Sequence, residues 1–202
     1  MIIWTYHRIL PSASSAAVSA GEFERQVSHL AETGHRFIGT AELALLLGGV
    51  LPPSAKYSML TFDDGWADNL IWANPVLKKY SARAVLAVNT GLIDRSSEAV
   101  RTQATYGITD SKKALEDAVC GKDRSSFLTW NEILEMKDSG LWEIQAHGNS
   151  HLGCYSEFGK IKGFYPDSPH WTMEYALGEK PFRGAPKVPF RSTLAERRTV
   201  MS

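Results

Sequence analysis

A chain of 202 residues with 22 basic and 22 acidic side chains is long enough to bury one sizeable core, and its balanced charge offers no overall field to draw it to nucleic acid or an acidic membrane surface. No stretch approaches the roughly 18 consecutive apolar residues of a membrane-spanning helix, and the start, MIIWTYHRIL, lacks the basic segment and long apolar run of an export signal. Cys120 and Cys154 fall in no C-x-x-C spacing, so neither a disulfide framework nor a zinc knuckle is expected, and both read as buried free thiols.

In chain order, MIIWTYH is a short β-rich run, and the Pro/Ser/Ala-rich stretch from Pro11 to Ala20 reads as the loop behind it. Ser19 and Glu22 form an S-x-x-E capping box, Phe23, Val27 and Leu30 share one helical face, and Gly34 stands where a C-cap glycine belongs. HRFIGT then predicts a strand, AELALLLGG a helix with a glycine stop, and KYSMLTF a further strand ending at Phe62. WADNLIWANPVLKKY has helical spacing with an early break at Pro75, and ARAVLAVNT is a nearly unbroken apolar strand. Residues 94–128 are polar and weakly patterned, with one helix expected around Lys112 to Val119; they read as an insertion on the loop side. A second capping box, Thr129 with Glu132, opens a helix that Gly140 ends, and LWEIQA follows as a strand running into HGNSH. The tail from residue 152 to 202 is rich in Gly, Pro and aromatics and is expected to be irregular, with no further β/α unit.

Alternating β and α units imply a parallel sheet, doubly wound or curled into a barrel, with chemistry at the C-terminal ends of its strands. The polar residues meet that rule. Asp63 and Asp64 follow one predicted strand, and His147 and His151 follow a later one. Adjacent carboxylates repel unless a cation neutralises one of them, and two histidines four residues apart can reach the same ion from a tight loop. One carboxylate and two imidazoles make three protein ligands and leave a position open for water, with the other carboxylate free to act as base. Gly65 and Gly148 allow the sharp turns this needs. His7 leaves the first strand on the same rim and is expected to line the pocket; His29 and His35 flank a helix end, and His170 could join a site late in the chain. With six tryptophans, some aromatic surface could stack on sugar rings, although most of it is expected in the core.

The stretch TFDDGWADNLIWANPVLKKYSARAVLAVNTGLI together with HGNSH resembles the polysaccharide deacetylases, carbohydrate esterases of the NodB-homology type. The opening YHRI resembles the branch that includes poly-N-acetylglucosamine deacetylases. The resemblance covers residues 1–151. It implies Asp63 as catalytic base, with Asp64, His147 and His151 as ligands of a divalent metal, usually zinc. Trp66 is placed with His7 as a substrate contact. Gly148 stands where such proteins commonly carry Ser or Thr, which removes a hydroxyl and keeps the ligand spacing.

The implied fold is α/β, a distorted (β/α) barrel in one catalytic domain spanning residues 1–202. Fewer strands are predicted here than such barrels contain, so the barrel is expected to be incomplete at its C-terminus. The histidine that serves the family as general acid has no evident counterpart, and FRGAPKVPFRS, with Arg183, does not match the family's arginine motif in spacing. The implied reaction is hydrolysis of an acetamido group on an N-acetylglucosamine-containing polymer or glycoconjugate. The alternatives are a degenerate module that binds metal and carbohydrate without turnover, or another metal hydrolase such as a phosphoesterase. A cytoplasmic location is the expectation for the chain as given, or the cell envelope if an export segment was removed.

Overall fold

Strands that are apolar on both faces need cover on both, and the chain supplies it with helices that alternate with the strands. The computed structural model describes residues 1–151 apart from Ser54 and Ser97, together with residues 153–155, 163–164, 183, 186–187 and 190–192. In chain order the elements are β1 (Ile2–Tyr6), β2 (Arg8–Leu10), β3 (Ala17–Ser19), α1 (Ala20–Glu32), β4 (Arg36–Phe37), α2 (Thr40–Leu47), β5 (Tyr57–Asp64), α3 (Asn74–Tyr80), β6 (Ala84–Asn89), α4 (Ser111–Val119), α5 (Trp130–Asp138) and β7 (Trp142–Gly148). The main sheet runs β1-β5-β6-β7, with β4 also paired to β5, and every pairing in it is parallel. This is the predicted α/β architecture. Each predicted strand and helix is present, and the insertion contributes α4 as expected.

One face of the sheet meets α1, α3 and α5. Leu60, Phe62, Leu86 and Val88 pack there against Phe23, Val27, Leu77, Ile133 and Met136. Phe62 is the hub, with its ring centroid 5.2 Å from Tyr6, 5.6 Å from Phe23 and 5.0 Å from Trp142. Tyr57, Met59 and Val85 face the other way and are covered by Leu43 and Leu46 of α2. That cover stops short of the C-terminal half of the sheet. There, Thr5 and Gln145 are exposed, and Thr61 and Asp63 are half-buried. Phe62 is fully buried, so strand alternation puts Asp63 on the more open face.

Several local expectations change in detail. Ser19 caps α1 through its hydroxyl, which accepts from the Glu22 amide at 3.2 Å. The Glu22 carboxylate turns to Arg25 and Gln26 instead of reaching back, so only half of that box forms. The Thr129–Glu132 box closes on both sides. Pro75 does break the run. It falls in the first turn of α3, where a missing N–H costs nothing, after a wide π turn at Asn69–Ala73. β5 and β7 run past Phe62 and Ala146, so the acid pair and His147 belong to strand ends and not to free loops.

Cys120 is exposed at the C-cap of α4, contrary to the buried expectation, because it follows the last apolar turn of an amphipathic helix. The Cys154 side chain and His170 lie outside the described residues. So does most of the tail, but not all of it is irregular: Gly153–Tyr155 pairs antiparallel with Phe190–Ser192, and Gly163–Phe164 with Pro186–Lys187. Among the described residues no helix is long and apolar enough to cross a membrane.

Candidate metal centre

The site begins where β5 stops. Asp64 has φ +76° and Gly65 φ +85°, two successive residues in the left-handed region that ends a strand abruptly. Glycine is required at the second position, since a Cβ on Gly65 would lie 3.2 Å from Val88 Cγ1 in strained backbone. The strain at Asp64 is compensated by hydrogen bonds to both carboxylate oxygens. Oδ1 accepts from Asn89 Nδ2 at 2.9 Å and Oδ2 from Trp66 Nε1 at 3.2 Å.

The histidines arrive from β7. Val88 pairs with Ala146 and Asn89 with Gly148, so His147 is the extra residue of a β-bulge. Bulges re-aim side chains at sheet edges, and this one brings His147 Nε2 to 3.6 Å from Asp64 Oδ1. His151, itself at φ +58°, brings its Nε2 to 3.3 Å from the same oxygen. The turn between them is strapped to β6: Thr90 donates its amide to Gly148 O at 3.0 Å, and Gly91 donates to Asn149 O at 2.7 Å. A Cβ on Gly91 would stand 2.5 Å from that backbone oxygen. Gly91→Ala should therefore displace the turn and weaken divalent-metal affinity by about tenfold or more, the usual consequence of disturbing what orients a ligand; calorimetric titration against wild type reads it.

One ligand atom from each of Asp64, His147 and His151 lies within 4.8 Å of the others. A tetrahedral ion with bonds of roughly 2.0–2.1 Å separates its ligands by about 3.3 Å, close to the two Asp64–histidine distances. A carboxylate with two imidazoles is also a donor set suited to first-row divalent ions. These residues fit a metal. Within the described residues, His151 Nδ1 is buried without a partner, so no hydrogen bond fixes that ring from behind.

His7, exposed between β1 and β2, lines a cavity of about 460 Å³ together with Asp64, Trp66, His151, Ser14, Ser15, Ser111 and Leu115. His7 is thus brought to the site as expected. Trp66 lines the same cavity but is only 3% exposed. Phe127 stacks on it with centroids 4.3 Å apart, and the Arg8 guanidinium lies 4.5 Å from its centroid. Its ring is committed to the protein, which leaves little of it to stack on a sugar. Asp63 sits beside Asp64 on β5, half-buried, and its carboxylate makes no hydrogen bond or ion pair with another described residue.

Sequence reasoning passed over Arg8 and Asp68. Arg8 Nε donates to Asp68 Oδ2 at 2.7 Å with both side chains out of solvent, and Asp68 Oδ1 accepts the Ile9 amide at 3.0 Å. Burial pushes the Asp68 carboxyl up to about 6, against the pull of Arg8, so at neutral pH it remains the ionised partner. A charged pair that far apart in sequence leaves no periodic signal; the clue was an arginine directly after a strand on the functional rim.

A parallel sheet with covering helices, and a carboxylate and two histidines gathered at its C-terminal edge, are the α/β architecture of the NodB barrel type. The chain belongs to the polysaccharide deacetylase family, whose model matches residues 51–176; the match runs past residue 151, where the resemblance was expected to end, and does not include residues 1–50. It is similar to the Bacillus subtilis (strain 168) protein YxkH, 34% identical over 111 residues, covering 53% of this chain and 39% of that one. It is also similar to the poly-beta-1,6-N-acetyl-D-glucosamine N-deacetylase of Escherichia coli (strain K12), 28% identical over 158 residues, 77% of this chain and 21% of that one. Among solved structures, the Streptococcus pyogenes deacetylase PplD in complex with acetate superposes with a TM-score of 0.56 at 26% identity, covering 75% of this chain and 57% of that one. The chain thus spans 39% and 21% of the lengths of the two curated relatives.

Proposed function

We propose that this chain is a metal-dependent deacetylase that removes N-acetyl groups from an N-acetylglucosamine-containing polysaccharide or glycoconjugate, with residues 1–202 forming one catalytic domain. The observation that carries the reading is the convergence of Asp64, His147 and His151 on one point at the rim of a cavity, with Asp63 adjacent in sequence. Membership of the family and the similarity to an N-acetylglucosamine polymer deacetylase support the substrate class. The PplD deacetylase was solved in complex with acetate, which is consistent with acetyl as the acyl group.

Asp64, His147 and His151 would hold the ion, with zinc as the reading, since zinc takes a carboxylate and two imidazoles with room for water. Bound there, a divalent ion supplies Lewis acidity, polarising the acetamide carbonyl and making a water more acidic. Asp63, beside the site and without a partner among the described residues, takes the proton of the attacking water as general base. His7 contacts the substrate from the cavity wall. The amine must leave as a protonated group, and no described residue is assigned as its proton donor.

The test is metal content and acetate release measured on the same samples of wild type and His147→Ala, with an N-acetylglucosamine oligomer as substrate. Bound zinc and acetate production, both lost in the variant, are the expected result. Zinc without acetate would make the protein a binding module, and no metal in wild type would overturn the reading.

A further inference from the structure

The wall behind Asp64 is built around one buried cation. Arg8 is 1% exposed and every arm of it is used. Beyond Asp68, it donates to the Thr109 carbonyl and to Ser111 Oγ, each at 2.9 Å, and to the Tyr106 hydroxyl at 3.4 Å. Three of these four partners belong to the insertion between β6 and α5, so Arg8 pins the insertion to the rim. Trp66 is held between this cation and Phe127, also from the insertion. Gly65 O accepts the Leu128 amide at 2.9 Å, and the Ala67 amide donates to Ser126 O at 2.9 Å, fixing the backbone on either side of Trp66.

So held, the indole has one polar group, and it points at Asp64 Oδ2. The other oxygen, Oδ1, is the one that faces both histidines. Rotation of an aspartate carboxylate about its last bond is soft and has no sharp preferred angle. Asn89 Nδ2 donates to Oδ1 at 2.9 Å, so without the donor on Oδ2 the carboxylate is held at one oxygen only and Oδ2 is left free to turn toward an ion.

We propose that Trp66 is a positioning residue for the metal site: its N–H, immobilised by Arg8 and Phe127, occupies Asp64 Oδ2 and presents Oδ1 alone to the ion, so that the insertion sets the metal affinity of the site through the indole. The idea rests on the metal reading above. A cation over the face of an indole draws on its electron density, which strengthens the N–H as a donor. Trp66 therefore acts behind a ligand and not as a sugar platform.

The experiment is calorimetric titration of metal-free wild type, His147→Ala and Trp66→Phe with Zn²⁺, with the visible spectrum of each protein loaded with Co²⁺. Trp66→Phe keeps an aromatic ring and removes the donor. It is expected to weaken Zn²⁺ binding by about 10–100-fold and to change the Co²⁺ spectrum, with an unchanged far-ultraviolet dichroism spectrum. Phe127→Leu keeps the N–H but loosens the ring, and a smaller loss is expected; this variant carries the test if the first fails to fold. If wild type binds metal, His147→Ala does not, and both ring variants retain wild-type affinity and spectrum, the positioning role is overturned while the metal reading stands. If wild type binds no metal, both fall together.

Discussion

Asp63→Asn is expected to lower acetate release by about 10²–10⁴, the typical contribution of a positioned general base, while the zinc content stays at the wild-type level. Asp64→Asn is expected to lose zinc and activity together. The two acids are adjacent, yet the fold treats them differently. Asp64 is buried, accepts hydrogen bonds on both oxygens and faces two imidazoles. Asp63 is half-buried and unpaired among the described residues, which suits a group that must bind and release a proton. Because an asparagine side chain has almost the same shape, neither replacement should disturb packing, and metal analysis separates the roles. An Asp63→Asn protein that loses its metal, or that works within a few-fold of wild type, would require the assignment to be exchanged or abandoned.

Asp68→Ala is expected to cost about 3–5 kcal/mol of stability, the range for breaking one side of a buried ion pair. In a chain of this size that lowers the melting temperature by on the order of 10 °C. Arg8 would keep its charge in a site closed to water, and the Ile9 amide would lose its acceptor. Replacing both members with apolar residues of similar volume, Arg8→Met with Asp68→Leu, should recover much of the loss, since well-packed apolar pairs often equal buried ion pairs in stability. Chemical denaturation of the single and double variants reads this directly. The double variant also separates two functions of the pair, because restored stability should not restore the metal affinity that depends on a cation over Trp66. Equal stability of Asp68→Ala and wild type would show that the pair contributes nothing.

Much of this architecture was legible without coordinates because it is written in local patterns. The apolar runs around Leu60 and Leu86, the 3–4 spacing of Phe23, Val27 and Leu30, and the caps at Ser19, Thr129 and Gly34 each concern residues within a turn or a strand of one another. The meeting of Asp64, His147 and His151 could be inferred for a related reason. Parallel strands deliver their C-terminal ends to one edge, so Asp64 and His147 share that edge once β5 and β7 are placed in the same sheet.

By itself, then, the sequence determined the α/β class and that Asp64, His147 and His151 meet at one sheet edge. Tertiary structure decided how they meet. The bulge that turns His147 depends on pairing with β6, and the left-handed turn at Asp64 is supported by donors from Asn89 and Trp66. Trp66 looked available to a sugar until the insertion folded Phe127 onto it, and no periodic pattern in the sequence singled out Arg8, which Asp68, 60 residues away, meets out of water. Periodicity records which face of an element is apolar. It carries no record of which polar group will be desolvated with which, because that depends on distant segments closing over one another and on the low dielectric they create.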